Sequence, residues 1–368
     1  MKTKFWLIVI IIVLAIIAVA IFVSSKKLHQ NQTIKIGVIL PLSGNMASLG
    51  DDIKDGIVLA NEKTALSGLK IDLLLEDEKC DPKEAINAYN STAIKGAKII
   101  IGPVCSQSTL AIAPLAEKAK MIILTPASAA DSISQAGDYI FRNHILESTE
   151  QKKMAEFVAQ KYKTAATIFD QSSDAYVIGE KTFTDSFQKD GGVIVERQSY
   201  QKNSTDFRSQ LIKIKEKNPQ VVYVGALMPE VALIIKQIKE MGINAQIISD
   251  NTVTDSKFLS AVGPLAEGII FAASDFKRET NQEFWDLYKN RFGKDPNIFA
   301  AQGYDSLIIL AKIIKESCPT VDSTCIKDGL YKIKDYSGVS GSTTFDSNGD
   351  AIKPIVIKII KDGQFVLY

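Results

Sequence analysis

Short apolar runs alternate with longer amphipathic segments along most of the chain. The apolar runs have the length of strands and lie at 34–40, 71–75, 98–101, 121–124, 165–169, 193–196, 221–224 and 247–248. Segments with the 3.6-residue period of a helix separate them, at 52–64, 82–95, 107–118, 151–161, 207–217 and 229–241. Strands that alternate with helices predict right-handed crossovers and parallel sheets. The pattern therefore predicts an α/β fold.

The alternating elements fall into two similar halves. The first four strands and their helices predict one doubly wound lobe, and the block from about 147 to 272 predicts a second. Helices at 280–292 and 297–315 follow, and late strands are expected at 342–345 and 354–360. The chain has 368 residues and is 46% hydrophobic, which is enough to bury two cores.

The N-terminus differs in kind from the rest. Lys2 and Lys4 precede an unbroken apolar run at 5–23, which as a helix would span the ~30 Å hydrocarbon core of a bilayer. A polar tether at 24–32 follows. We predict an uncleaved membrane anchor within residues 1–32, with a cleaved signal segment as the alternative.

Charge and motifs exclude several functions. Lys and Arg number 43 and Asp and Glu 42, for a net charge of +1, and no basic stripe is present, so we expect no nucleic-acid partner. The sequence lacks phosphate-binding, serine-hydrolase and zinc-protease motifs. The two histidines, His29 and His144, lie far apart without ligand spacing. We therefore expect no enzyme, no cofactor and no metal site.

All four cysteines follow the apolar N-terminal run. Cys80 and Cys105 lie at the ends of neighbouring predicted strands, and Cys318 and Cys325 flank a short polar loop. An even count beyond an export segment favours two disulfides in an oxidising compartment. Free thiols are the alternative.

The loop after the third predicted strand has the composition of an anion site. A Gly-Pro turn at 102–103 leads to Ser106, which we expect to cap the following helix. A helix N-terminus offers free backbone N–H groups that attract negative charge, so a carboxylate could be held there without chemistry.

An ordered series of motifs resembles one protein family. The segments are Cys80-Asp81-Pro82-Lys83, the stretch 102–109 (GPVCSQST), 36–44 (IGVILPLSG), 203–215 (NSTDFRSQLIKIK), 229–237 (PEVALIIKQ) and 344–350 (TFDSNGD). Together they resemble the leucine/isoleucine/valine-binding proteins of bacterial ABC importers, over nearly everything after about Thr33. The resemblance implies a type I periplasmic-binding-protein fold in which the chain crosses three times between lobes. Lobe 1 would comprise 33–146 plus 273–338, and lobe 2 would comprise 147–272 plus 339–368.

The resemblance also implies a ligand between the lobes. On lobe 1 the expected contacts are Leu49, the turn Val104-Cys105-Ser106 and the turn Ala127-Ser128-Ala129. Ser106 matches the family serine that binds the ligand carboxylate. Ala129 stands where the family has a threonine, and Ser128 is the candidate to replace its hydroxyl.

On lobe 2 the resemblance implies Tyr176 as the residue that closes over the ligand. Leu227 stands where the family often has tyrosine. Asp250 or Asn251 occupies the place of the acid that binds the ligand ammonium, because the alignment is ambiguous by one residue.

The implied function is an extracytoplasmic receptor that passes an aliphatic amino acid to the permease of an ABC importer. A membrane-tethered sensor with another partner is the alternative. A receptor for an amide or another small carboxylate is the nearest variant of the same function.

Overall fold

The computed structural model describes residues 33–368. Lobe 1 contains a sheet of five parallel strands in the order β2-β1-β3-β4-β5. These strands are β1 (Ile34–Leu40), β2 (Ile71–Asp77), β3 (Ile99–Ile101), β4 (Ile122–Thr125) and β5 (Ile140–Arg142). The helices between them are α1 (Ala47–Leu66), α2 (Pro82–Ile94) and α3 (Ser106–Ala119).

Lobe 2 contains seven strands in the order β15-β14-β10-β9-β8-β6-β7. The parallel part comprises β6 (Thr164–Asp170), β7 (Val193–Tyr200), β8 (Val221–Gly225), β9 (Gln246–Ser249) and β10 (Ile270–Ser274). Two antiparallel strands, β14 (Ile355–Lys361) and β15 (Gln364–Leu367), extend the sheet beyond β10. The helices are α4 (Glu147–Ala159), α5 (Asp174–Lys189), α6 (Arg208–Glu216), α7 (Glu230–Glu240) and α8 (Phe258–Val262).

The chain passes between the lobes after β5, after β10 and after the late strands β11 (Tyr336–Gly338), β12 (Gly341–Phe345) and β13 (Ala351–Ile352). After the second crossing, α9 (Gln282–Phe292), α10 (Ile298–Glu316) and α11 (Ser323–Tyr331) return to lobe 1. The predicted α/β fold with parallel central sheets and three crossings is confirmed.

Helix α10 completes the core of lobe 1 by packing closely on α1. Its residues Phe299, Leu307 and Leu310 are buried in the same apolar cluster as Ile36 and Ile53. A Cβ on Gly56 of α1 would overlap the carbonyl oxygen of Ala300, so the close approach of the two helices requires glycine there.

One expected strand lies elsewhere than predicted. Strand β12 pairs with β11 and β13 in a separate three-stranded sheet instead of joining lobe 2. Its buried Phe345 packs edge-on against Phe141 of β5 with ring centroids 5.7 Å apart, which holds the small sheet on the lobe 1 core. A strand is therefore present at 342–345 as expected, but its expected place in lobe 2 was wrong. The other late strand joins lobe 2 as β14. We propose that the lobe boundary lies after β13.

Candidate functional site

A cavity lies between the lobes where the carboxyl ends of their strands face each other, the position at which open α/β sheets bind ligands. The volume of this cavity is about 80 Å³. All the predicted ligand residues except Ser128 line this cavity, namely Leu49, Val104, Cys105, Ser106, Ala127, Ala129, Tyr176, Leu227, Asp250 and Asn251.

The lobe 1 end of the cavity is the N-terminus of α3. Cys105 is the N-cap and makes no side-chain cap, while Ser106 is the first helical residue, so the expectation that Ser106 caps the helix was wrong by one position. The Ser106 hydroxyl oxygen accepts hydrogen bonds from Ala129 N at 3.2 Å and Ala130 N at 3.1 Å. Its own proton therefore stays free to donate into the cavity. The first backbone N–H groups of α3 also point to this end and favour an anion.

A disulfide and a buried carboxyl group hold the turn before α3. Cys80 and Cys105 form the predicted disulfide, with Cα atoms 5.3 Å apart. The Glu78 carboxyl accepts from Val104 N at 2.9 Å and Cys105 N at 3.3 Å. Burial raises the pKa of Glu78 to about 7, against the lowering effect of these hydrogen bonds. The backbone that presents Ser106 is therefore tied from two directions.

Ser128 does not reach the cavity. Its hydroxyl is buried 2.8 Å from Thr109 Oγ1 and donates to Val104 O at 2.9 Å. Its backbone N–H donates to Thr125 Oγ1 at 3.0 Å, which turns the side chain into lobe 1. The expectation that Ser128 replaces the missing threonine hydroxyl was wrong, since that hydroxyl serves the loop itself.

The lobe 2 end of the cavity carries Asp250. One carboxyl oxygen, Oδ1, accepts from Thr252 N at 2.9 Å and from the Thr252 hydroxyl. The other oxygen, Oδ2, is buried and has no hydrogen-bond partner among the described residues. Burial raises the pKa of Asp250 to about 6, opposed by the hydrogen bonds from Thr252 and by the nearby Tyr176 hydroxyl, which does not reach hydrogen-bond geometry with Oδ2. Asp250 thus presents an unsatisfied acceptor to whatever fills the cavity.

Asn251 lines the cavity, but its N–H groups are already used. Its backbone N–H and side-chain amide donate to the two oxygens of Glu150, at 3.1 and 3.2 Å. Of the two alternatives at this position, Asp250 is the one that can carry a negative charge, and its Oδ2 is unpartnered among the described residues.

Glu147 also lines the cavity and was not predicted. It is the first residue of α4, directly after the first crossing between the lobes. Its Oε1 accepts from Gln151 Nε2 at 2.9 Å, and it is buried. Burial and the neighbouring charge of Asp250 raise the pKa of Glu147 well above its usual range. The sequence carried a weak signal, since Glu147 and Glu150 are acids at i and i+3 of a helix start that directly follows the apolar pair Ile145-Leu146.

Apolar side chains form one part of the remaining wall. The other part is polar and consists of Gln107, Asp170, Ser172, Ser173, Lys202 and Thr252. Met46, Leu49 and Phe299 come from lobe 1 and are buried, and Leu227 faces them from lobe 2. Leu227 packs against the apolar cluster of lobe 1, which it can do only when the lobes are closed. The wall suits an aliphatic group between the two polar ends.

Tyr176 and His144 are the polar members of the lining that carry rings. The Tyr176 ring is 4% exposed, and burial together with the charge of Asp250 raises the pKa of its hydroxyl well above the usual range. His144 Nδ1 lies 2.9 Å from Gln302 Nε2, and burial lowers the pKa of His144 to about 3. The imidazole is therefore neutral and supplies no cation, as expected for a satisfied buried histidine.

Hydrogen bonds join the lobes beside the cavity and hold the closed arrangement. Ser48 Oγ donates to Asp255 at 2.8 Å, and Asn297 Nδ2 donates to Thr254 O at 3.1 Å. On the opposite side Lys202 Nζ donates to Cys80 O at 3.3 Å.

Comparisons with known proteins identify the family. The profile of the periplasmic binding protein family matches residues 33–364. The chain belongs to this family. The predicted resemblance is confirmed, and the family is one of solute-binding receptors.

The relatives of this receptor are similar over most of their length. It is 27% identical to a leucine-, isoleucine-, valine-, threonine- and alanine-binding protein of Pseudomonas aeruginosa, over 86% of this chain and 87% of the relative. The crystal structure of a leucine-binding protein from Thermotoga maritima is 29% identical, with a TM-score of 0.85, covering 91% of this chain and 98% of that one. A branched-chain amino acid transporter substrate-binding protein from Streptococcus pneumoniae, in complex with isoleucine, is 27% identical with a TM-score of 0.83, over 91% and 98% of the two chains.

The remaining predictions concern the second disulfide and the apolar N-terminal segment. The second predicted disulfide is present, with Cys318 and Cys325 Cα atoms 5.8 Å apart. The predicted anchor or signal segment at 5–23 lies outside the described residues. Within residues 33–368 no helix combines the length and the apolar composition that crossing a bilayer requires.

Proposed function

We propose that this receptor captures a zwitterionic aliphatic amino acid between its lobes outside the cytoplasm and delivers it to the permease of an ABC importer. The observation that carries the proposal is the polarity of the closed cavity. A hydroxyl donor and a helix N-terminus lie at one end, and a buried carboxyl oxygen without a partner lies at the other. Met46, Leu49, Leu227 and Phe299 add an apolar wall to the same cavity.

Each end supplies what one half of an α-amino acid needs. The Ser106 hydroxyl and the first N–H groups of α3 suit a carboxylate, because hydrogen bonds to a charged group are worth ~1.5–3 kcal/mol each. Asp250 suits an ammonium. Met46, Leu49, Leu227 and Phe299 would enclose the aliphatic side chain. The relatives named for branched-chain amino acids support this choice of side chain.

Closure would be the signal that the permease reads. The polar contacts of the ligand are divided between the lobes, so only the ligated receptor satisfies both halves while closed. Residues 5–23 would keep the receptor at the membrane next to the permease.

A thermal-shift screen of the full chain in detergent tests the function. The panel would contain leucine, isoleucine, valine, alanine and threonine, with an aliphatic amide and benzoate as members that lack the zwitterion. A ligand at 100 times its Kd should stabilise the fold by ~2.7 kcal/mol. If an amide or benzoate stabilised the receptor and no amino acid did, the proposed ligand would be wrong.

A further inference from the structure

The negative charge in the cavity exceeds what a single ammonium-binding acid needs. Glu147 and Asp250 both line the cavity and are both buried. Glu150 lies behind them and holds Asn251. The three acids are close enough to affect one another's pKa. After burial, the charge of Asp250 raises the pKa of Glu147, and the charges of Glu147 and Asp250 raise the pKa of Glu150.

Among residues 33–368 no side chain forms an ion pair with Glu147, Glu150 or Asp250. Lys202, a cation in the cavity lining, donates instead to Cys80 O at 3.3 Å. The ion pairs of the buried arginine and lysines nearby lead elsewhere, because Arg142 pairs with Asp350 at 2.6 Å and Lys353 donates to Ser340 and Thr343. The groups that face Glu147 from the surrounding elements are acids, tyrosines or neutral, namely Asp131, Glu150, Gln151, Tyr176, Tyr223 and Asp250. His144, which also lines the cavity, is neutral.

The local structure directs Glu147 to this place. A Cβ on Gly179 of α5 would meet Glu147 Cγ at 2.7 Å, so the carboxyl group occupies a slot that a glycine leaves open between α4 and α5. Gln151 Nε2 binds Oε1 and fixes the orientation of the group. The unpartnered Asp250 Oδ2 in the same cavity is an independent sign that an external donor belongs there.

We propose that Glu147 is a second ligand-binding carboxylate, which binds the ligand ammonium together with Asp250 and restricts the cavity to ligands that carry this cation. The inference rests on the proposed function and adds a residue that decides specificity. An ammonium has three protons to donate, so it can satisfy both carboxyl groups. Its positive charge also removes the repulsion between them.

The test is isothermal titration of the full chain in detergent at pH 8 with L-leucine. Glu147→Gln keeps the size and the acceptor for Gln151 but removes the charge, and we expect it to weaken binding about 10- to 100-fold. Glu147→Asp should restore part of the loss. The matched control is Glu150→Gln, which removes a buried acid of the same cluster that does not line the cavity, and it should cost clearly less.

Proton release separates a ligand contact from a structural role. At pH 6.5, binding of L-leucine should expel protons from the wild-type cluster, measured as a dependence of the binding heat on the ionisation heat of the buffer. Glu147→Gln should release fewer protons. A thermal melt without ligand should show this variant at least as stable as the wild type, because a buried like charge is gone.

Two analogues distinguish the possible failures. If L-leucine binds the wild type and Glu147→Gln equally well with equal proton release, the inference is wrong and the proposed function stands. If 3-methylbutylamine binds and no amino acid does, with binding lost in Glu147→Gln, the function is wrong and the inference is supported. If the wild type prefers 4-methylpentanoate, which lacks the ammonium, both are overturned.

Discussion

The lobe 1 end of the cavity is made of neutral dipoles, whereas the lobe 2 end is made of buried carboxyl groups. Ser106 and the α3 N-terminus offer a hydroxyl and backbone N–H groups that carry no net charge. The acids Glu147 and Asp250 are held in a low-dielectric site and form no ion pair with the described residues. The two ends therefore differ in the free energy of burial as well as in charge. Burying the dipoles without a ligand costs little free energy, whereas burying the unpaired acids costs much.

The largest expected effect is the loss of Asp250. Asp250→Asn keeps the acceptor for Thr252 and removes the charge, so we expect binding of L-leucine to weaken by about 3 kcal/mol, or more than 100-fold. Isothermal titration measures it. If affinity stayed within threefold of the wild type, the acid end would not select the ligand.

Acid pH should weaken binding through the same end. Binding an ammonium requires ionised carboxyl groups. The pKa of Asp250 is raised to about 6 and that of Glu147 well above its usual range, so binding is strongest at alkaline pH and weakens as the pH falls through these values. At pH 5 the affinity should be at least about tenfold below its value at pH 8. Titrations from pH 5 to 8 measure this, and Ser106→Ala should give a parallel curve. A flat wild-type profile would contradict the argument.

The dipole end should give a smaller loss. Ser106→Ala removes one hydroxyl donor and should weaken binding by about 1–2 kcal/mol. Ser128→Ala is the matched control, because its hydroxyl serves Thr109 and Val104 O. It should lower the free energy of unfolding by about 1 kcal/mol and leave the Kd within twofold. Equal losses of affinity in the two variants would contradict the placement of the two hydroxyls.

Removing a disulfide should give the smallest change in affinity, and the two disulfides should differ in this respect. Replacing Cys80 and Cys105 with serine loosens the turn before α3 and should weaken binding a few-fold. The same change at Cys318 and Cys325, far from the cavity lining, should leave the Kd unchanged. Both pairs should lose thermal stability, by roughly 2–4 kcal/mol in an entropic model. Titration and melting of the two double variants provide the measurement.

The fold was largely predictable because its strands are long apolar runs with helical segments between them. The predicted start of β1 at residue 34 and of α2 at residue 82 match the structure, since an apolar run and an Asp-Pro start mark them. The strand at 140–142 was not predicted, because three residues that include an arginine have no period. The position of β12 depends on Phe345 meeting Phe141, which is a contact distant in sequence.

The candidate site was predictable where the resemblance supplied positions and not where packing decides direction. Ser128 and Ala129 are neighbours in sequence, yet the Thr125 hydroxyl turns Ser128 away from the cavity and leaves Ala129 in its lining. Glu147 was missed because an acid at a helix start is ordinarily exposed and favourable there. Its place in the cavity depends on the space that Gly179 leaves beside it, which is a contact between two helices.

The buried acids Glu147 and Asp250 would oppose closure of the receptor when no ligand is bound. Closing the lobes on an empty cavity would bring Glu147 and Asp250 out of water with no charge to offset theirs. Self-repulsion thus penalises the empty closed shape, and a filled one escapes the penalty. A permease that recognises only the closed shape would then seldom hydrolyse ATP without cargo.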